Sequence, residues 1–214
     1  MTAELAIRNV RILDGSGGPA VEGDVAISGD RITAVGQIGA GGDAEVDIDG
    51  GGLALSPGFV DVHTHDDGAL LRHPGMEFKL AQGCTTVVIG NCGFSAAPAA
   101  IGQRDASNLI GTPPTWSDLA GFAAEVAASG PAVNAVALVG HNTVRHLVMG
   151  NERREPTTAE LGEMRRLVAE AMAQGACGLS TGLIYEPGRY SAPRKKSGCR
   201  PATCARWSET HRTR

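Results

Sequence analysis

Short runs in which apolar residues recur at about every second position fill the beginning of the chain. This spacing is typical of half-buried strands, and it occurs at residues 3–13, 20–28, 31–38, 46–48 and 53–55. Segments rich in glycine and aspartate separate the runs, and Ser28-Gly29-Asp30-Arg31 is typical of a hairpin turn. The pattern predicts a small β-domain over residues 1–56 and indicates no chemistry within it.

From residue 57 onward, β-branched apolar runs alternate with helical patterns. Strands are predicted around Val60 and Val62, after the Pro57-Gly58 turn, and at 84–90, 133–139 and 176–182. Helices are predicted at 75–82, 116–129 and 157–173. Ser117 is placed to cap the second helix, and Thr157 with Glu160 forms a capping box for the third.

This alternation predicts right-handed βαβ units and a parallel sheet whose strands are buried on both faces. Four units over residues 57–193 make half of a (β/α)₈ barrel, a fold that usually takes about 250 residues. The predicted fold class is therefore α/β, the first half of a TIM-type barrel preceded by a small β-domain.

A cluster of candidate metal ligands follows the first predicted strand of the barrel. Side chains alternate along a strand, so Asp61, His63 and His65 should point to one face. Two neutral imidazoles there could hold one zinc ion or another late divalent metal. The competing interpretation is that they are ordinary residues at a strand end, facing water.

The other candidate residues also fall at or just past predicted strand ends, where TIM barrels carry their chemistry. Cys92 follows strand 84–90 between Asn91 and Gly93, where a turn would expose its thiol as a metal ligand. A buried, inert thiol is the alternative. His141 and Tyr185 follow the next two strands.

Composition excludes several functional classes. The net charge is -4 and the pI about 5.9, which argues against a partner such as nucleic acid or an anionic membrane. The apolar runs are too short to span a bilayer, and the first residues lack the uncharged core of a signal peptide. Five cysteines without the spacing of a small disulfide scaffold suggest reduced thiols in the cytoplasm.

The last 21 residues differ from the rest of the chain. Residues 194–214 carry seven Lys or Arg against one acid, which leaves 12 basic and 22 acidic residues for 1–193. The segment also lacks helical and strand periodicity. We interpret it as an aberrant, disordered basic tail. A frameshift after Pro193 would explain it, because bases that encode Arg194-Lys195-Lys196 can encode Thr-Glu-Glu, a good helix start, in another frame.

Several motifs together carry a family resemblance. The stretch Pro57-Gly58-Phe59-Val60-Asp61-Val62-His63-Thr64-His65 resembles the P-G-x-x-D-x-H-x-H signature of the amidohydrolase superfamily. Three further stretches resemble its N-acyl-D-amino-acid deacylase (D-aminoacylase) branch: 82–95, Val139-Gly140-His141 with Arg145, and 178–183 with Tyr185. The resemblance covers residues 5–193 and implies a β-sandwich beside the barrel.

This resemblance implies zinc (Zn2+) as the cofactor, with His63, His65 and Cys92 as metal ligands. It implies that Tyr185 positions the substrate and that His141 shapes the floor of the site. The implied reaction is hydrolysis of the amide of a small-molecule N-acyl-D-amino acid, which gives a carboxylate and a D-amino acid.

In that family the proton-shuttling Asp and two further His ligands come from strands five to eight, which this sequence does not contain. We therefore expect residues 1–214 alone to be unstable or to aggregate, and to lack turnover. Two alternatives stay open: another amidohydrolase acting on cyclic amides, and a non-catalytic fragment that only binds metal.

Overall fold

The computed structural model describes residues 3–38, 44–102 and 109–191. It divides into two compact units between Gly58 and Phe59, two residues from the boundary that the sequence predicts. We refer to residues 1–58 as the N-terminal unit and to residues 59–214 as the C-terminal unit. The predicted tail at 194–214 lies outside the described residues.

The N-terminal unit is a mixed β-sheet, and all five predicted strands are present. Their bounds are β1 Ala3–Ile12, β2 Val21–Ser28, β3 Arg31–Gly36, β4 Ala44–Asp49 and β5 Ala54–Leu55. The strand order is β3-β2-β1-β4, with β5 also paired to β1. β1 is antiparallel to β2 and parallel to β4 and β5.

One face of this sheet carries the unit's apolar core, which is centred on Val10, Ile12 and Val25. The described residues of the unit form a single sheet, so they do not supply the second layer of a sandwich. Apolar residues such as Ile32 and Val46 are accordingly exposed on β3 and β4.

The C-terminal unit is built on a four-stranded sheet in which every described pairing is parallel. The strand order β6-β7-β8-β9 follows the order along the chain. The strands are β6 Phe59–Asp61, β7 Cys84–Ile89, β8 Asn134–Gly140 and β9 Gly178–Ser180. Sequential parallel strands with helical connections are what a (β/α)₈ barrel uses.

In the described residues, five α-helices connect these strands and one 3₁₀ turn follows β9. They are α1 Ala69–Arg72, α2 Glu77–Leu80, α3 Leu119–Ser129, α4 His141–Met149, α5 Thr158–Ala173 and the 3₁₀ turn Gly188–Tyr190. None of the described helices is long and apolar enough to cross a membrane. The core of the unit lies between the helices and one face of the sheet, and it includes Leu70, Val87, Phe122 and Met164.

Two helix predictions need correction, and one helix was not predicted. The predicted helix at 75–82 is the single turn α2. The predicted helix at 116–129 begins at Leu119, because the cap is Asp118, whose carboxylate accepts from the Gly121 N–H at 2.9 Å, and not Ser117. Helix α4 was not predicted, since it begins at His141 directly after β8 without a polar cap residue.

The capping box of α5 is confirmed. The Thr157 hydroxyl accepts from the Glu160 N–H at 3.3 Å, and the Glu160 carboxylate accepts from the Thr157 N–H at 2.7 Å. Arg154 binds the same carboxylate through both terminal nitrogens. The predicted apolar stripe packs inward through Met164 and Val168.

The prediction that strand 84–90 is buried on both faces is wrong for the described chain. Val87 and Ile89 are buried in the core, whereas Thr86 and Val88, on the opposite face, are only partly covered. In the described residues β6 pairs with β7 alone, and Phe59 on β6 is 62% exposed. The face of β7 opposite the core is therefore only partly covered by the described residues.

Candidate metal centre

The structure brings His63, His65 and Cys92 together. One ligand atom from each lies within 4.8 Å of the other two, and within the described ranges this is the only such group of three. The Nε2 atom of His63 is 3.2 Å from the Sγ atom of Cys92. The two imidazole rings meet edge to face, with centroids 5.8 Å apart.

The two histidines converge for a reason other than strand alternation. Strand β6 ends at Asp61, so His63 and His65 lie in the loop that follows it. Thr64 between them is buried, and both its N–H and its hydroxyl donate to the carbonyl of Val88 on β7 at 3.2 Å. Because Thr64 is pinned to β7, the two neighbouring imidazoles turn outward.

Cys92 lies in a tight turn after β7. Its φ is +55°, a left-handed conformation that non-glycine residues seldom adopt, and Gly90 and Gly93 also have positive φ. The Gly93 carbonyl accepts from the N–H groups of Asn142 and Thr143 at 2.7 and 3.1 Å. These groups belong to the first turn of α4, whose unpaired N–H groups are thereby satisfied. The turn that presents Cys92 is thus held by the next helix.

Lys79 neutralises two of the acidic residues around the histidines. Its Nζ lies 2.8 Å from Asp61 and 2.9 Å from Asp66. Hydrogen bonds from Lys79 and from the His63 N–H hold the pKa of the Asp61 carboxyl below its ordinary value. Since both carboxylates bind Lys79, the donors left at this point are two imidazoles and one thiol.

Asp67 is a buried carboxyl that links the histidine loop to the cysteine loop. It accepts from the N–H of Gly90 at 3.3 Å and from that of Ala96 at 3.1 Å. Burial raises the pKa of this carboxyl to about 6. Asp67 therefore fixes the two ends of the 90–96 segment beside His65.

His141 and Arg145, both on α4, lie outside the three-residue group. His141 is buried, with Nδ1 at 3.3 Å from the Asn142 side-chain oxygen. Arg145 is fully buried and donates to the carbonyls of Glu152 and Arg154 at 2.9 and 2.6 Å. Burial lowers the pKa of the Arg145 guanidinium. Arg145 anchors the 152–154 segment, which gives it a structural place in the fold.

Tyr185 lies near the Cys92 turn and is 46% exposed. Its ring centroid is 5.7 Å from that of Phe94. Gly182 lies between the Cys92 turn and Tyr185, since a side chain there would collide with both the Cys92 carbonyl and the Tyr185 ring. The structure thus brings Tyr185 beside the loop that carries Cys92.

Three residues that shape this site, Lys79, Asp67 and Ser180, were not predicted from the sequence. Lys79 contacts an acid 18 positions away, and Ser180 contacts a backbone 90 positions away, so neither pairing leaves a local signal. The sequence shows two acids after His65 and a hydroxyl at a predicted strand end, but not the residues that these groups contact.

The model that describes the amidohydrolase family (Amidohydro_3) matches residues 47–210. This chain belongs to the amidohydrolase family. The match extends into the segment 194–214, so similarity to the family is not confined to the residues before the predicted tail.

Two curated relatives come from Alcaligenes xylosoxydans xylosoxydans. An N-acyl-D-aspartate deacylase is 47% identical over 191 residues, which cover 86% of this chain and 38% of the relative. An N-acyl-D-glutamate deacylase is 39% identical over 205 residues, which cover 95% of this chain and 42% of the relative. The predicted resemblance to N-acyl-D-amino-acid deacylases is confirmed, and the chain spans about two fifths of the length of these relatives.

A solved structure of the same kind shows the fold. The N-acyl-D-glutamate deacylase of Bordetella bronchiseptica, in complex with zinc and a phosphonate mimic of the tetrahedral intermediate, superposes with a TM-score of 0.86 at 38% identity. The superposition covers 92% of this chain and 42% of the solved chain. The predicted fold class, part of a TIM-type barrel with a β-domain, is confirmed.

Proposed function

We propose that this amidohydrolase chain forms the zinc-binding first half of an N-acyl-D-amino-acid deacylase. The observation that carries the proposal is the cluster of His63, His65 and Cys92, whose ligand atoms lie within 4.8 Å of one another. Imidazole nitrogen and thiolate sulfur are ligands that zinc prefers, so the donor set fits this metal. Similarity to two deacylases and to a zinc-containing one supports the assignment.

The residues of the site would have different roles in the reaction. His63, His65 and Cys92 would hold the metal, which supplies Lewis-acid activation of water and of the acyl carbonyl. Lys79 keeps Asp61 and Asp66 away from it by binding both carboxylates. Tyr185 would position an N-acyl-D-amino acid, since its exposed ring lies beside the Cys92 turn. The products are a carboxylate and a D-amino acid.

The domain organisation belongs to the same proposal. Residues 1–56 would be part of the small β-domain, residues 57–193 the first four βα units, and residues 194–214 an aberrant tail. The partly covered second face of β7 and the exposed Phe59 and Val60 of β6 support a half-barrel. Free thiols at Cys84, Cys92 and Cys177 are the basis for proposing a cytoplasmic location.

A polypeptide of residues 1–214 should be a poor enzyme on its own. Its described sheet has open edges at β6 and β9, and Phe59, Val60 and Val62 are exposed at the first of them. Unpaired strand edges with apolar side chains promote aggregation. We expect aggregation and no deacylase turnover, and a soluble monomer that turns over substrate would refute this.

The test begins with the gene. Its nucleotide sequence from codon 185 onward shows whether another frame after Pro193 encodes Thr-Glu-Glu and continues into four further strands. Both products are then expressed, loaded with zinc and given N-acetyl derivatives of D- and L-aspartate and D- and L-glutamate. We expect amine release from the D-substrates by the longer product alone. Zinc binding without any hydrolysis would instead select the non-catalytic, metal-binding alternative.

A further inference from the structure

We propose that Ser180 is a positioning residue, which holds the Cys92 turn in the geometry that directs its sulfur toward His63. The proposal extends the zinc assignment above and rests on it. Ser180 is the last residue of β9, two strands away from the strand that Cys92 follows. No contact between its side chain and a metal is part of the proposal.

The hydroxyl of Ser180 connects the two ends of the turn. It donates to the carbonyl of Gly90 and accepts from the N–H of Gly93 at 3.0 Å. Cys92 lies between these two residues in a left-handed conformation, which persists only where the surrounding structure enforces it. The Ser180 hydroxyl is therefore one of the contacts that impose it.

The turn reaches β9 because β8 ends in a glycine. A side chain at Gly140 would lie 2.5 Å from the Gly93 carbonyl oxygen, so the turn passes directly over the end of β8. On the far side, the backbone of Gly182 lies against the Cys92 carbonyl. The turn is thus enclosed between Gly140 and the 180–182 segment. The Ser180 side chain supplies the hydrogen bonds that join this segment to the turn.

A hydroxyl is suited to this position because it donates and accepts at the same atom. Alanine at position 180 would leave the Gly90 carbonyl and the Gly93 N–H without this partner, and the turn could relax toward a more common backbone conformation. Threonine keeps the hydroxyl and is favoured in strands. The two substitutions therefore separate the hydrogen-bonding role of Ser180 from its bulk.

The experiment measures zinc affinity by competition with a chelating dye, in the complete product of the gene. Residues that orient a metal ligand from outside typically change affinity about 10–100-fold when lost. We expect Ser180→Ala to raise the zinc dissociation constant by about that factor. With cobalt(II) in place of zinc, it should also weaken the thiolate-to-cobalt absorption band. Ser180→Thr should retain both properties.

Ser129→Ala is the matched control for a structural effect. The Ser129 hydroxyl is also partly buried, and it donates to the carbonyls of Leu70 and Val126 at 2.9 and 2.8 Å, away from the three ligands. Ser129→Ala should lower the melting temperature of the metal-free protein without changing its zinc affinity. Equal zinc affinity and cobalt spectra in Ser180→Ala and wild type would overturn the inference alone. A wild-type protein that binds no zinc would overturn the proposed function, and the inference with it.

Discussion

Nε2 of His63 and Sγ of Cys92 lie 3.2 Å apart, although the two residues follow different strands and are 29 positions apart in sequence. Two loops that follow different strands thus place a nitrogen and a sulfur at the same point. A third donor, from His65, lies within 4.8 Å of both. The proposed function depends on this convergence, because zinc prefers nitrogen and sulfur ligands of these types.

Cys92 should be essential for metal binding, whereas the other described cysteines should not be. We expect Cys92→Ser to weaken zinc binding by more than the roughly 10–100-fold that loss of an orienting partner costs, because a direct ligand is removed. Cys84→Ser and Cys177→Ser are the controls, since neither thiol belongs to the group of three. Zinc content after dialysis gives the readout. Unchanged zinc in Cys92→Ser would contradict the assignment.

Lys79 should stabilise the histidine loop by neutralising two acids. In Lys79→Met, Asp61 and Asp66 would lose their shared cation and repel each other. We expect a lower melting temperature, with part of the loss recovered when Asp66→Asn is added, because the repulsion is then removed. A melting temperature equal to that of wild type, or no recovery in the double variant, would show that these two ion pairs contribute little to stability.

Two glycines of the C-terminal unit should respond to alanine in opposite directions. At Gly182 a methyl group would overlap the Cys92 carbonyl, so Gly182→Ala should destabilise the protein by about 1–3 kcal/mol and reduce zinc binding. At Gly162, exposed within α5, nothing lies within 4 Å, so Gly162→Ala should stabilise it by about 0.5–1 kcal/mol. Urea denaturation compares the two, and a loss of stability in both would count against the described packing.

The start of α5 should carry a stability that disappears in acid. The hydrogen bonds from Arg154 and from the Thr157 N–H lower the pKa of Glu160 from 4.5 to about 2. A lowered folded-state pKa means that this contribution is complete above pH 4.5 and is lost as the pH falls toward 2. The difference in free energy of unfolding between wild type and Glu160→Gln should therefore shrink over that interval. If the difference between wild type and Glu160→Gln did not change with pH, the proposed hydrogen bonds to the Glu160 carboxylate would be contradicted.

Much of the fold could be predicted because each element carries its own local signal. The strands of the N-terminal unit alternate every second residue, and α5 has both a capping box and an apolar stripe. Helix α4 could not be predicted, since Gly140 precedes it where a polar cap would be expected. The burial of β7 was overestimated, because the sequence pattern shows what a strand can bury and not which residues cover it.

The candidate ligands could be predicted, but the reason for their convergence could not. His63 and His65 do not lie on a strand; the buried Thr64, bound to Val88 on β7, orients them. Ser180 and Lys79 act on the site through contacts with residues distant in sequence, 90 positions away from Gly90 and 18 from Asp61. Such pairings arise from the topology of the sheet, and no spacing within one segment encodes them.

X-ray absorption at the zinc edge of the complete gene product tests the central claim most directly, because it counts the atoms bound to the metal. The account predicts one sulfur at about 2.3 Å with imidazole nitrogens at about 2.0–2.1 Å, and loss of the sulfur shell in Cys92→Ser. A zinc ion surrounded only by nitrogen and oxygen in the wild-type protein would contradict the assignment of Cys92, and with it the proposed metal centre.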